Sequence, residues 1–167
     1  MESSSSEILP GADERQAVLD VCLQLLSSLK KPGAAGRDLF LATLAPKGTA
    51  CHARNMLGGG FQHEAFPHEF ADRIPWESIT ENELLEDLDG EQTVLIDHDL
   101  AMAWVPFSFT RNGTITHVGT AVYTLIKNAW DPEEPQKVEW KICGMTDTGR
   151  RPSEEDRKRL GKEGGSW

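Results

Sequence analysis

Residues 100–127 read LAMAWVPFSFTRNGTITHVGTAVYTLIK, and the fold turns on how this stretch is taken. Two apolar runs rich in β-branched and aromatic residues, Leu100 to Thr110 and Ile115 to Lys127, flank Arg111-Asn112-Gly113-Thr114. Asn-Gly is a strong short-range hairpin signal, because both turn residues must adopt positive φ. The stretch therefore predicts two long antiparallel strands, of eleven and thirteen residues, well above the usual length in a small domain. Pro106 offers no N–H to a ladder, so it demands a bulge or an edge position.

Outward from this hairpin, Lys137 to Asp147 reads as a further strand after a Pro-containing loop. Upstream, Thr93 to Ile96 is a short strand, and Asp97-His98-Asp99 is a tight polar turn in which His98 serves simply as a turn residue. Thr49 to Met56 alternates as a strand, Gly58-Gly59-Gly60 turns the chain, and Phe61 to Glu64 returns it. Helices precede the strands. Val18, Val21, Cys22, Leu25, Leu26 and Leu29 recur at three and four from a possible cap at Asp13, with Pro32-Gly33 as a stop. Arg37 to Leu44 and Phe66 to Ile74 are two shorter helices. Helices followed by strands mean an α+β chain. The expectation is a cone-shaped, curved antiparallel sheet of about six strands, wrapped on three N-terminal helices and leaving a conical cavity. Residues 1–12 form a disordered tail, 13–151 the folded domain, and 152–167 a charged tail with six basic against four acidic residues from Gly149 onward.

Composition limits the partners. The chain of 167 residues carries a net charge of −10, which argues against nucleic acid and anionic membranes, both of which need a basic face. No apolar run reaches the length of a membrane span, and Met1 to Ser6 lacks the features of a signal peptide. Cys22, Cys51 and Cys143 form no close pair, so a reducing, cytoplasmic location is expected. No His, Cys or carboxylate spacing matches a metal motif, and no Gly-rich phosphate loop is present, so neither metal nor organic cofactor is expected.

Several residues could carry chemistry. His117 shares a strand face with Gly119, Ala121, Tyr123 and Leu125, and a histidine there can act as acid or base near neutral pH. The plain alternative is a buried histidine held by a carbonyl. Asp147, at the end of the last strand, could be a general base at the mouth of the cone; alternatively it pairs with Arg150 and pins the chain end. Ala50, His52, Arg54 and Met56 share one phase. If that phase faces the cavity, His52 is a proton donor and Arg54 a fixed cation able to stabilise an enolate or hold a carboxylate. If it is reversed, Cys51, Ala53 and Asn55 line the cavity instead. Trp76, Trp104, Phe107, Phe109 and Tyr123 could wall an apolar pocket, or be ordinary core.

Leu100 to Phe107, Asn112-Gly113, His117-Val118-Gly119-Thr120, Tyr123-Thr124-Leu125, Trp140-Lys141-Ile142 and Asp147-Thr148-Gly149-Arg150 together resemble the C-terminal half of the nuclear transport factor 2-like superfamily, and within it the SnoaL-like branch. The resemblance implies a cone with a cavity and dimerisation through the outer sheet face. It implies two classes of function. One is a cofactor-independent enzyme of secondary metabolism that isomerises, cyclises or dehydrates a small apolar natural product. The other is a non-catalytic ligand-binding or assembly protein. In the enzyme reading, Asp147 is the base, His117 the acid or base, and Arg54 or His52 the electrostatic stabiliser, while Tyr123, Trp104, Phe107 and Met56 contact the substrate.

Overall fold

The computed structural model describes residues 11–79 and 83–161. Four helices, α1 (Ala12–Ser28), α2 (Gly33–Thr43), α3 (His68–Asp72) and α4 (Glu154–Leu160), accompany seven strands: β1 (Leu44–Ala53), β2 (Phe61–Ala65), β3 (Leu84–Leu88), β4 (Thr93–Asp97), β5 (Leu100–Arg111), β6 (Thr114–Ala129) and β7 (Val138–Thr148). The strands form one curved sheet in the order β2-β1-β7-β6-β5-β3, with β4 also on β5. The α+β architecture expected from the sequence is present. The sheet differs from expectation in having seven strands and one parallel pair, β1 beside β7. Sequence adjacency cannot reveal that pairing, because 95 to 98 positions separate the partners and only the curl of the sheet brings them together.

The central hairpin follows its turn. Asn112 and Gly113 both take positive φ, 51° and 76°, and β5 and β6 pair from Leu100–Ile126 to Arg111–Thr114. Pro106 sits where β4 ends and β3 has not begun: Trp104 pairs with Thr93, Phe107 with Leu88. Its carbonyl accepts from Asp89 N across that gap. An N–H and a carbonyl of one strand residue face the same side, so the donor that proline lacks would have pointed into the break, where no ladder partner waits.

α1 buries Val18, Cys22, Leu25 and Leu26 against the concave face. Gly11, not Asp13, precedes its first turn, and Asp13 and Glu14 lie within that turn, where negative charge complements the helix dipole. α2 begins at Gly33, four residues before the expected start, because Pro32 suits the position just before a helix. β1 starts at Leu44 rather than Thr49 and absorbs Pro46 in a register shift between Leu44 and Thr49. Phe40, Phe66, Phe70 and Trp76 pack as one aromatic cluster, with ring centroids 4.9–5.5 Å apart.

β3 has no counterpart in the sequence reading. Its residues, LLEDL, carry two acids in five positions, and acidic residues are depleted in strands. The segment beyond Arg151 also departs from a simple tail. Ser153 and Asp156 form a capping box that starts α4, Arg150 grips Asp156 with two hydrogen bonds, and Arg159 pairs with Asp89 just after β3. Most of the expected N-terminal tail, and residues 162–167, lie outside the described residues. On the outer face Leu95, Leu100, Met102 and Trp104 stay substantially exposed, the apolar surface on which the expected homodimer would form. Among the described residues no helix is long and apolar enough to cross a membrane.

Candidate functional site

The curl of the sheet over α1 and α2 leaves a cavity of about 260 Å³. Its lining combines hydrocarbon, from Leu25, Leu29, Phe40 and Phe70, with a set of titratable groups. Strand register explains why. Residues directly opposite in a sheet share a face, so Glu86, Phe109 and His117 form one inward row across β3, β5 and β6. His52 and Asp147 form another across the parallel β1–β7 pair.

His52, Arg54, Asp147, His117 and Tyr123 all line this cavity. The phase of the first strand is thus the one carrying Ala50, His52 and Arg54 inward. The return strand presents Glu64, which pairs with Ala50, while Phe61 and His63 share the outward face of Cys51 and Ala53. Met56 leaves the strand into a 3-10 turn and is 70% exposed. Trp104 points to the outer face and is 48% exposed, since it alternates with the inward Ala103 and Val105. Phe107 is buried and lies edge-on to His117 at 5.8 Å, on the wall of a separate open groove.

Asp147 does not pair with Arg150. It accepts two hydrogen bonds from Arg54, at 2.5 and 2.9 Å, and its Oδ1 is 3.0 Å from His52 Nδ1. His52 Nε2 is 3.0 Å from Glu64 Oε2, and Glu64 in turn lies 3.4 Å from Arg73 Nε. The ring is 1% exposed, wedged between two carboxylates without the angle of a hydrogen bond to either. Burial opposes ionisation of Asp147, but His52 and Arg54 outweigh it and hold the carboxyl below its usual range. An acid held so firmly as a carboxylate and clamped at both oxygens is poorly placed to accept a proton.

Glu86 is the opposite case, and the sequence reading missed it. No hydrogen bond or ion pair to the described residues reaches its carboxyl. Burial first, then the nearby charge of Asp147, push its pKa from 4.5 to about 8, so at neutral pH it carries its proton. The only trace in the sequence is a lone glutamate in phase with Leu84 and Leu88. His117 is displaced the other way, from 6.5 to about 4, by burial and then by the positive charge of Arg54. Its ring stacks on Phe109 at 5.0 Å. Thr116 donates its hydroxyl to the Phe109 carbonyl, so the hydroxyl oxygen is left to accept from His117 Nδ1 at 3.0 Å. That network assigns the proton to Nδ1 and leaves Nε2 as a lone pair. Burial raises the Tyr123 hydroxyl well above its usual value, which keeps it a hydrogen-bond donor. Among the described residues no cluster of three or more His, Cys, Asp or Glu is placed to hold a metal ion.

No protein-family model matches the sequence, and no curated protein matches it. Solved structures do match in shape. A protein of unknown function with a cystatin-like fold from Nostoc punctiforme superposes with a TM-score of 0.60 at 9% identity, covering 85% of this chain and 95% of its own. A nuclear transport factor 2-like protein with a cystatin-like fold from Novosphingobium aromaticivorans gives 0.60 at 14% identity, with 89% of each chain covered. A nuclear transport factor 2-like superfamily protein from Salmonella enterica serovar Typhimurium gives 0.60 at 17% identity, with 85% and 94% covered. The chain thus has the cystatin-like α+β fold of the nuclear transport factor 2-like proteins.

Proposed function

We propose that the protein is an acid–base enzyme that isomerises, cyclises or dehydrates a small, mostly apolar molecule bearing a carbonyl or hydroxyl group, the kind of chemistry implied by the resemblance to the SnoaL-like branch. One observation carries the reading: the Glu86 carboxyl and the His117 imidazole, its Nε2 left free, line one cavity, where burial raises the pKa of the first and lowers that of the second. Titratable groups driven apart by their surroundings divide into an acid and a base. Glu86 donates its proton to a substrate oxygen. His117 Nε2 removes a proton from the adjacent carbon or hydroxyl. In isomerisation His117 then gives its proton to a different carbon while Glu86 takes back the one on oxygen; in cyclisation and dehydration the proton from Glu86 stays on the product oxygen or leaves in water, and the proton on His117 passes through solvent to Glu86, so both groups are restored. Tyr123 donates a hydrogen bond to the developing oxyanion. A cavity of about 260 Å³ is smaller than the ~300 Å³ at which drug-sized sites begin, and suits a molecule of one or two rings.

The test is turnover on a panel of small cyclic ketones and β-hydroxy ketones. Glu86→Gln and His117→Ala are each expected to cut turnover by about 10²–10⁴-fold, with unchanged circular dichroism. Full activity in both variants would remove the acid–base assignment. A protein that binds members of the panel and turns over none would instead be a ligand-binding protein of the same fold.

A further inference from the structure

Arg54 and Arg73 are the two cations that line the cavity, and both are already matched. Arg54, its side chain 14% exposed, spends its charge on both oxygens of Asp147. Arg73 faces Glu64 at 3.4 Å and donates to Gln62 at 2.8 Å. His52 bridges the two pairs, 3.0 Å from a carboxylate on each side. The result is a continuous row of mutually paired groups, Arg73, Glu64, His52, Asp147 and Arg54, at one side of the cavity. We infer that Asp147 is the specificity-determining residue of the cavity: by holding Arg54 in a two-point clamp it withholds the cation that would bind an acid group, so the site takes uncharged carbonyl or hydroxyl compounds and excludes carboxylates.

The physical reason is a difference in desolvation. A carboxylate entering the cavity would lose its water and meet no cation that is not already paired, a costly state for a buried charge. It would also stand near Asp147, a like charge. An uncharged carbonyl loses far less on leaving water. It meets the Glu86 carboxyl and the Tyr123 hydroxyl as donors, while a hydroxyl group meets His117 Nε2 as acceptor. This inference rests on the reading of the cavity as the ligand site, and it reverses the role that sequence alone gives Arg54, a cation open to a carboxylate. It also makes an uncommon prediction for a buried ion pair. Breaking the clamp should create a binding property, because it leaves a guanidinium without a partner and a planar, two-oxygen ligand can replace the lost one.

Acetophenone and benzoate, an uncharged and a charged ligand of nearly the same shape, separate the alternatives in ligand-observed NMR titrations at pH 7. The wild type is expected to bind acetophenone at least about tenfold more tightly than benzoate, a difference of about 1.4 kcal/mol. In Asp147→Asn, benzoate affinity should rise by at least about tenfold and acetophenone affinity change by less than about twofold. A purely structural role for Asp147 would weaken both ligands together. If circular dichroism shows Asp147→Asn unfolded, Glu64→Gln, which frees Arg73 at the rim, is expected to raise benzoate affinity about threefold. The inference is overturned if the wild type fails to bind acetophenone, if it takes benzoate equally well, or if the folded variant gains no benzoate affinity. A protein that discriminates the two probes in this way yet turns over no ketone leaves the charge rule standing and removes the proposed function instead.

Discussion

Two residues of the cavity, Glu86 and His117, impose a pH dependence whose sign follows from their environments. Glu86 has a folded pKa of about 8 against an ordinary 4.5. The folded state therefore holds a proton that the unfolded chain has released, and stability falls as pH rises between those values. His117 is lowered to about 4 from 6.5, so its contribution is complete above 6.5 and is lost as pH falls toward 4. From pH 4.5 to 6.5 the two slopes oppose and cancel. From 6.5 to 8 only Glu86 of these two changes, and its contribution to the unfolding free energy should fall by up to about 1.4 kcal/mol per pH unit, the slope easing as pH nears 8. Urea denaturation at pH 6.5 and 8 checks this, and Glu86→Gln should abolish the decline. A slope unchanged in that variant would show that another group titrates. At this scale the sequence singled out His117 by strand phase, His52 and Arg54 by a phase whose inward face it left open, and Asp147 by its place at the end of the last strand; all four line the cavity. It misplaced Trp104 because alternation sorts residues into two faces without saying which is inside; Trp104 and Phe107, an odd number of residues apart, could not both have lined one cavity.

Among the elements, the central hairpin was readable because Asn112-Gly113 fixes its own register, and α1 because its apolar face repeats at helical spacing. β3 was not, since its ladder with β5 overrides the low strand preference of LLEDL. The parallel pairing of β1 with β7 depends on the curvature of the whole sheet. β6 and the end of β7 approach closely at Gly119. A Cβ there would lie 1.9 Å from the Thr148 carbonyl oxygen and 2.9 Å from the Phe107 ring, so no side chain fits between β6 and the end of β7. Gly119→Ala is expected to destabilise the fold by about 3 kcal/mol or more, read as an earlier midpoint in urea. At Gly113 a Cβ would meet nothing within 4 Å, but the backbone holds a positive φ of 76°, so the constraint there is conformational rather than steric. A tolerated alanine at Gly119 would mean that β6 and β7 separate at this point in solution.

Across the whole molecule, the proposed acid and the rest of the cavity do not share the same mechanical support. His117 and Asp147 ride on strands paired on both sides, whereas β3, which carries Glu86, has β5 on one side and lies at the end of the sheet. Its other restraints include the packing of α1 against it, the exposed Lys30–Asp87 ion pair at 3.3 Å, the hydrogen bonds between Glu83 and Asn112 and, just beyond Leu88, the pairing of Asp89 with Arg159 of α4. Edge segments open at lower free energy than the centre of a sheet. Inactivation and unfolding should therefore be separate events. In rising urea, turnover should vanish at a concentration where far-ultraviolet ellipticity is still that of the native protein, and deleting residues 152–161 should widen the interval between the two. Coincident curves would place β3 in the same cooperative unit as the rest. On this view the chemistry is the most perishable property of the molecule: a population that has lost its proton donor would still be folded, compact and indistinguishable from native protein by any measure of shape.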